Sequence, residues 1–305
     1  MTEYLPIEIV GHILRVLAEM SILDNRETVL RIALMGSIGY TVAIPVLYRT
    51  VSVTISNLSF ITRIFDDSEQ AAASGGPGGV LQPSRTSRLC PYVRRIFVDA
   101  SSSFPYLRLL PNLEMVVTIT SNRGIFPSED FSHLSKSLTQ YTSLTTAYLY
   151  TLPPTITHAS FYINVWAASV FTDFRKYASL TLHDTITHLA IELNDPIYEE
   201  AALQLRKLLA YLLRRSSTAL VVLRLYRDAV LPDSMAAVLW AIHGLPVLPD
   251  DLQARLLIWR DQRKIDTVIS DMKTSLRDAI EGRTPWMEGR IVSHADLEDA
   301  NGLLD

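Results

Sequence analysis

From Tyr92 onward, short apolar runs alternate with longer stretches of helical period, and this alternation constrains the fold more than any other feature. The runs are Val93-x-x-Ile96-x-Val98; Leu110-Pro111-Asn112-Leu113 leading into 116–119; Leu144-x-x-Ala147-x-Leu149; Ile186-x-x-Leu189-x-Ile191; and Leu220-x-x-Leu223-x-Leu225. Helical patterning fills 128–140, 161–177 and 198–215 between them. A chain that leaves a strand, forms a helix and returns lays its next strand parallel to the last, with a right-handed crossover. The fold class is therefore α/β. Strands beginning near Thr50, Val93, Val116, Leu144, Thr187 and Leu220 should lie in one mainly parallel sheet, with neighbours in sequence adjacent in space. An irregular solenoid and an open sheet both satisfy this pattern.

The stretch 5–51 has a different character. Leu5 precedes Pro6, a residue suited to the first turn of a helix because its missing N–H would be unpaired there. Glu8 lies in that turn, where the helix dipole favours an acid. On a helical wheel Glu8, His12, Arg15 and Glu19 share one narrow stripe, while Ile7, Ile9, Val10, Ile13, Leu14, Val16 and Leu17 fill most of the remaining circumference. A helix lying on one core needs an apolar stripe only a little over ~100° wide. This helix has a surplus, so it should pack on its own domain and on something else. Asp24 and Glu27 form an Asp version of a capping box, which starts a second helix near Asn25. Gly36 and Gly39 should end it. Residues 41–47 give a third short segment interrupted at Pro45. Val51, Val53 and Ile55 then alternate with Ser52 and Thr54, the period of a strand.

These residues resemble a known family. The opening LP-x-E-I-x-x-x-I-L-x-x-L is similar to the first helix of an F-box. Ala33-Leu34-Met35 and Pro45-Val46-Leu47-Tyr48-Arg49-Thr50-Val51 resemble its second half as found in fungal F-box-like proteins. The resemblance implies a module that docks on the Skp adaptor of a cullin–RING ubiquitin ligase, with the rest of the chain capturing a protein substrate. It implies adaptor contacts at Leu5, Pro6, Ile9, Ile13, Val16, Leu17, Pro45 and Leu47. Where the family usually carries Val-Ser-Arg and an aromatic residue, this chain has Met35, Gly36, Ser37 and Gly39. The apolar runs downstream look like the L-x-x-L-x-L strands of leucine-rich repeats, at uneven intervals. With the F-box resemblance, they favour an irregular, leucine-rich-repeat-like domain over a plain open sheet. Trp259-Arg260-Asp261-Gln262-Arg263 is similar to a segment near the end of the same proteins, with Gln262 departing from it.

Composition narrows the alternatives. The 305 residues are 48% hydrophobic and 20% charged, enough to bury a large core. A net charge of −4 gives no basic field for nucleic acid. The single cysteine, Cys90, excludes an internal disulfide and a multi-cysteine metal site, and fits a reducing compartment, cytoplasmic or nuclear. Glu3 and the absence of a basic start argue against a signal peptide. No window approaches the roughly 18 uninterrupted apolar residues of a membrane helix.

No catalytic pattern emerges. The glycine cluster Gly75, Gly76, Gly78 and Gly79 runs into Val80, Leu81, Gln82 and Pro83, without the Gly-Lys-Ser/Thr ending of a phosphate loop. The surrounding 66–88 reads as a mobile surface insertion. His183 and His188 are five positions apart, on opposite sides of either a helix or a strand. Gly36-Ser37-Ile38-Gly39 lacks the G-x-S-x-G spacing of a nucleophile elbow. Cys90 precedes Pro91 with no histidine nearby in sequence, as a buried structural thiol would.

Further helices are expected from Asn57 to about Phe65, from Asp233 to Ile242, from Pro249 to about Arg260 and over 266–281, before an acidic tail. The expected organisation is an F-box-like module over 1–50, an irregular α/β repeat-like domain over 51–265, and a helix and tail over 266–305. The expected role is non-catalytic substrate recognition in an SCF-type ligase, without cofactor or metal, and with no membrane or nucleic-acid partner. The alternative is an interaction scaffold whose F-box is vestigial, motivated by Gly36 and Gly39.

Overall fold

The computed structural model describes residues 6–22, 25–54, 56–63, 65, 89–99, 104–118, 131–143, 152–163, 182–193, 197–226, 232–246, 255–261, 278 and 284–291. The chain is mixed α/β, with a nine-stranded, mostly parallel sheet whose strands follow the order of the chain. It forms two compact units. One comprises 1–100, 106–116 and 133–138; the other comprises 101–105, 117–132 and 139–305.

The first unit opens with three helices, α1 (Ile7–Ser21), α2 (Arg26–Leu34) and α3 (Ser37–Tyr48). They share a small core of Ala18, Val29, Ile32, Ala43 and Leu47, with Leu14, Ile22, Ile44 and Val46 packed against it. Asn25 caps α2, its side chain accepting the Thr28 N–H at 3.2 Å. Asp24, the expected cap, lies outside the described residues. Gly36 has φ 113°, a left-handed conformation that suits glycine, and it lets the chain turn directly into α3. Gly36 thus follows directly on the end of α2, as expected, whereas Gly39 and Pro45 both lie inside α3, so Gly39 ends no helix and Pro45 does not interrupt the third segment. Beyond α3, β1 (Thr50–Thr54) pairs parallel with β2 (Arg95–Asp99), Thr50 opposite Arg95, and β3 (Met115–Thr118) is next in the sheet order. Asn57 ties back to β1 instead of capping the next turn with its side chain. It accepts the Thr54 N–H at 2.7 Å and donates to the Ser52 carbonyl at 3.0 Å.

In the second unit β4 (Gln140–Ser143), β5 (His158–Ile163), β6 (His188–Leu193), β7 (Leu220–Leu225) and β8 (Leu256–Arg260) pair parallel in sequence. Between β6 and β7 runs α4 (Glu199–Arg214); between β7 and β8 runs α5 (Pro232–His243). One sheet face carries Ala159, Phe161, Leu189, Ile191, Leu193, Val221, Leu223 and Ile258, all buried. Helix α4 is amphipathic and buries Ala201, Ala202, Leu205, Leu208, Leu209, Leu212 and Leu213. Arg206 joins α4 to α5, its guanidinium 3.7 Å from the Trp240 ring centroid and bonded to the Trp240 carbonyl at 2.9 Å. The chain returns with α6 (Pro285–Glu288) and β9 (Arg290–Ile291), which pairs antiparallel with β8.

Strands enter the sheet in one repeated way. A tight turn places a buried side chain, and the N–H groups of the next two residues share the carbonyl of the residue just before the preceding strand. Thus Ile156 N–H closes a turn on Pro153, and Thr157 and His158 both donate to the Thr139 carbonyl. Ile186 closes on His183, and Thr187 and His188 donate to Thr157. Thr218 closes on Arg215, and Ala219 and Leu220 donate to Thr187. In the first unit Arg94 and Arg95 donate to Arg49 in the same manner.

Several expectations need correction. Strand β5 occupies 158–163, where a helix was expected to begin at Phe161. Strand β8 occupies 256–260, within the helix expected from Pro249. Both runs are almost continuously apolar, and such runs suit a parallel strand covered on both faces as well as they suit a buried helix. Turns, not a helix, occupy 131–139, and β4 begins at Gln140. The expected strand over 144–149, the insertion at 66–88 and, apart from Asp278, the helix over 266–281 lie outside the described residues; of the expected acidic tail over 284–305, residues 284–291 are described and form α6 and β9.

Candidate interaction surface

Helix α1 packs against α2 and α3 through a narrow stripe. Only Ala18 is fully buried along its length; Val10, Gly11, Leu14 and Ser21 are half-buried. A Cβ on Gly11 would meet Ile38 Cγ2 at 3.9 Å, ordinary van der Waals contact, so this stripe faces the start of α3. The remaining aliphatic residues are exposed: Ile9 47%, Ile13 49%, Val16 41% and Leu17 43%. Ile9, Ile13, Val16 and Met20 follow the helical i, i+4, i+7, i+11 spacing and form one strip, with Leu17 beside it and Ile7 at its start. Such adjacent aliphatic exposure marks an interaction surface more often than scattered single residues do.

Of the residues expected at an adaptor contact, Ile9, Ile13, Val16 and Leu17 are thus brought together and exposed. Pro6 is exposed at the helix start, its carbonyl accepting the N–H groups of Ile9 and Val10. Pro45 is half-buried in α3. Leu47 is corrected: it is 5% exposed and belongs to the module's own core, the side on which α3 meets α1 and α2. Leu5 lies outside the described residues. The structure adds Met20, Leu30, Leu34, Met35 and Tyr40, all exposed, to the apolar surface of this module. Leu34 and Met35 stand within the motif Ala33-Leu34-Met35, a signal that was available in the sequence.

The two glycines that depart from the family motif have a local reason. A Cβ on Gly39 would lie 2.0 Å from the Ile32 carbonyl oxygen and 3.3 Å from the Met35 Cβ. Here α3 rests on the C-terminal turn of α2 with backbone against backbone. No larger residue fits without moving one helix.

A second arrangement, in the other unit, was not anticipated. The sheet face opposite the one that carries Ala159, Phe161, Ile191 and Leu223 is polar at its centre. Arg224 on β7 bonds Asp261 Oδ2 through Nε at 3.1 Å and Nη2 at 2.7 Å, and Glu192 Oε2 through Nη1 at 3.3 Å. Tyr226 donates to the same Glu192 oxygen at 2.5 Å, and Ser160 donates to Glu192 Oε1. Asp278 Oδ2 lies 3.6 Å from Arg224 Nη2. The guanidinium stacks 4.0 Å from the Trp259 ring centroid. All these charged groups are buried. Burial works against the charge on Arg224, but Tyr226, Glu192 and Asp261 outweigh it and raise its pKa. Burial also holds Tyr226 well above its ordinary value, against the pull of Arg224, so it remains a neutral donor.

On the same face the imidazoles of His158 and His188 stack with centroids 4.2 Å apart. Each Nδ1 lies beside the preceding threonine hydroxyl, at 2.8 Å from Thr157 and 2.9 Å from Thr187. Trp286 meets both rings edge-on, at 5.3 and 6.0 Å. Burial, reinforced by His188, lowers the His158 pKa to about 4, and burial lowers that of His188. The sequence signal for this pair was the repeated Leu-x-x-Thr-Ile-Thr-His at 152–158 and 182–188.

Among the described residues no helix is long and apolar enough to cross a membrane, and no cluster of three or more metal-ligating side chains occurs. No family model, curated protein or solved structure matches this chain.

Proposed function

We propose that this chain is a non-catalytic substrate-recognition subunit of an SCF-type cullin–RING ubiquitin ligase, acting in the cytoplasm or nucleus. In this reading α1–α3 are an F-box-like module that docks the Skp adaptor. The strand-and-turn repeat is a degenerate leucine-rich-repeat-like domain that receives a protein substrate. One observation carries the reading: α1 is held to its module by a narrow stripe while Ile9, Ile13, Val16, Leu17 and Met20 stay outside. Fully burying one such side chain contributes about 1.5–3 kcal/mol. The same residues could have been placed inside; their exposure reserves that free energy for a partner. The Gly36 and Gly39 departures support α2–α3 packing and leave the α1 surface intact.

The test is co-purification of the full chain with the adaptor, followed by size-exclusion chromatography with the cullin. A stoichiometric complex that Ile13→Asp abolishes supports the reading. A folded chain that never associates with the adaptor leaves an interaction scaffold with a vestigial module.

A further inference from the structure

Three arginines meet where the first unit's strands begin. Arg49 directly follows α3, and its carbonyl accepts the N–H groups of Arg94 at 2.9 Å and Arg95 at 3.0 Å. The Arg94 carbonyl accepts the N–H groups of Glu114 at 2.7 Å and Met115 at 3.1 Å. These shared carbonyls hold the starts of β1, β2 and β3 side by side, and the arginines with them. Glu114 Oε1 pairs with Arg94 Nη1 at 3.2 Å. Arg49 is exposed and Arg95 half-buried.

We propose that Arg49 and Arg95 form a binding site for a phosphoryl dianion, either free phosphate or the phosphate of a monoester.

The first support is the pairing of the chain's arginines. Arg94, Arg206, Arg215 and Arg255 are half-buried as Arg95 is, and each guanidinium bonds an acceptor of this chain: the Glu114 carboxylate, the Trp240 carbonyl, the Leu182 and His183 carbonyls, and the Arg215 and Thr218 carbonyls. Arg95 is the exception. Among the described residues its guanidinium has no acceptor and no carboxylate within ion-pair distance. A charge taken partly out of water is costly unless it is paired. The second support is the neighbour. Burial lowers the Arg95 pKa and Arg49 adds to the fall, while Glu114 opposes it without cancelling it. A like charge beside a half-buried guanidinium raises the cost further. A ligand that supplies negative charge removes both costs. The third support is stoichiometry. Three guanidiniums and one carboxylate leave two positive charges at the junction. A phosphomonoester carries about −1.5 to −2 at pH 7, which matches them; a single carboxylate does not. The planar guanidinium fork also fits a phosphate through two parallel N–H donors.

The experiment is calorimetric titration of the full chain with inorganic phosphate and with phosphoserine, at constant ionic strength. At least one probe should bind saturably at one site and raise the melting temperature. Tighter binding of phosphoserine assigns the site to a monoester, and tighter binding of phosphate assigns it to the free ion. Arg49→Gln and Arg95→Gln should each weaken binding at least about tenfold, as loss of a charge-assisted hydrogen bond does. Arg31→Gln, which breaks only the exposed pair with Glu27 on α2, should leave binding unchanged. Without ligand, Arg95→Gln should melt no lower than the unsubstituted chain, because it removes an unpaired charge. Unfolding of Arg95→Gln would make that side chain structural and overturn the proposal. It is also overturned if neither probe binds saturably, if Arg49→Gln binds as the unsubstituted chain does, or if acetate competes as well as phosphate.

Discussion

A Cβ placed on Gly39 would stand 2.0 Å from the carbonyl oxygen of Ile32. The contact fixes how closely α3 lies on α2, and through α3 it fixes where α1 rests. Gly39→Ala should lower stability by about 1–3 kcal/mol, the usual cost of overpacking a tight contact. Gly36→Ala should cost about 1–2 kcal/mol for a different reason, since its φ of 113° is left-handed and nothing lies within 4 Å of the added methyl. Urea denaturation of the two variants checks both. If Gly39→Ala is neutral, the α2–α3 contact is looser than described.

The Arg224 cluster predicts an asymmetric response. Arg224→Met leaves Glu192 and Asp261 buried without the guanidinium that bonds both, and should cost about 3–5 kcal/mol. Arg224→Lys should rescue little of this, because a point charge cannot reproduce two bonds to Asp261 and a third to Glu192. Equal stability of the lysine variant and the unsubstituted chain would contradict the bonding described.

Acid should destabilise the second unit through the stacked imidazoles. His158 is held near a pKa of about 4 by burial and by His188, against about 6.5 in an unfolded chain. Between those values the unfolded chain binds the extra proton. The contribution is therefore complete above about pH 6.5 and is lost as pH falls towards 4. The melting temperature should drop between pH 7 and 4.5, and His158→Gln should flatten that slope. An unchanged slope in the variant would show that His158 is not the titrating group.

How far the sequence foretold this chain depends on what its patterns encode. The starts of β1 and β7 and the extents of α4 and α5 were legible within a residue or two, because Val51/Val53 alternate and Leu205, Leu208, Leu209 and Leu212 repeat at helical spacing. The parallel, in-order sheet followed from strand–helix alternation. Strands β5 and β8 were not legible: Phe161-Tyr162-Ile163 and Leu256-Leu257-Ile258-Trp259 are apolar without alternation. The exposed arc of α1 was readable as surplus on the helical wheel, but assigning Leu47 to the core and not to the surface needed the placement of α3. Glu192 and Arg224 carry no signal in the sequence, since only strand register reveals that they stand side by side.

The central claim is tested most directly on α1. Ile13→Asp and Leu17→Asp alter exposed positions, whereas Leu14→Asp alters a residue packed against the module's core. Each variant of the full chain is scored twice, by thermal unfolding and by titration with the purified Skp adaptor. The account predicts that Ile13→Asp and Leu17→Asp change stability by no more than about 0.5 kcal/mol, as surface substitutions do, yet weaken adaptor binding at least tenfold, while Leu14→Asp lowers stability markedly. If all three variants lose stability alike and none selectively loses adaptor binding, α1 is a cap on its own module and the ligase-subunit reading is wrong.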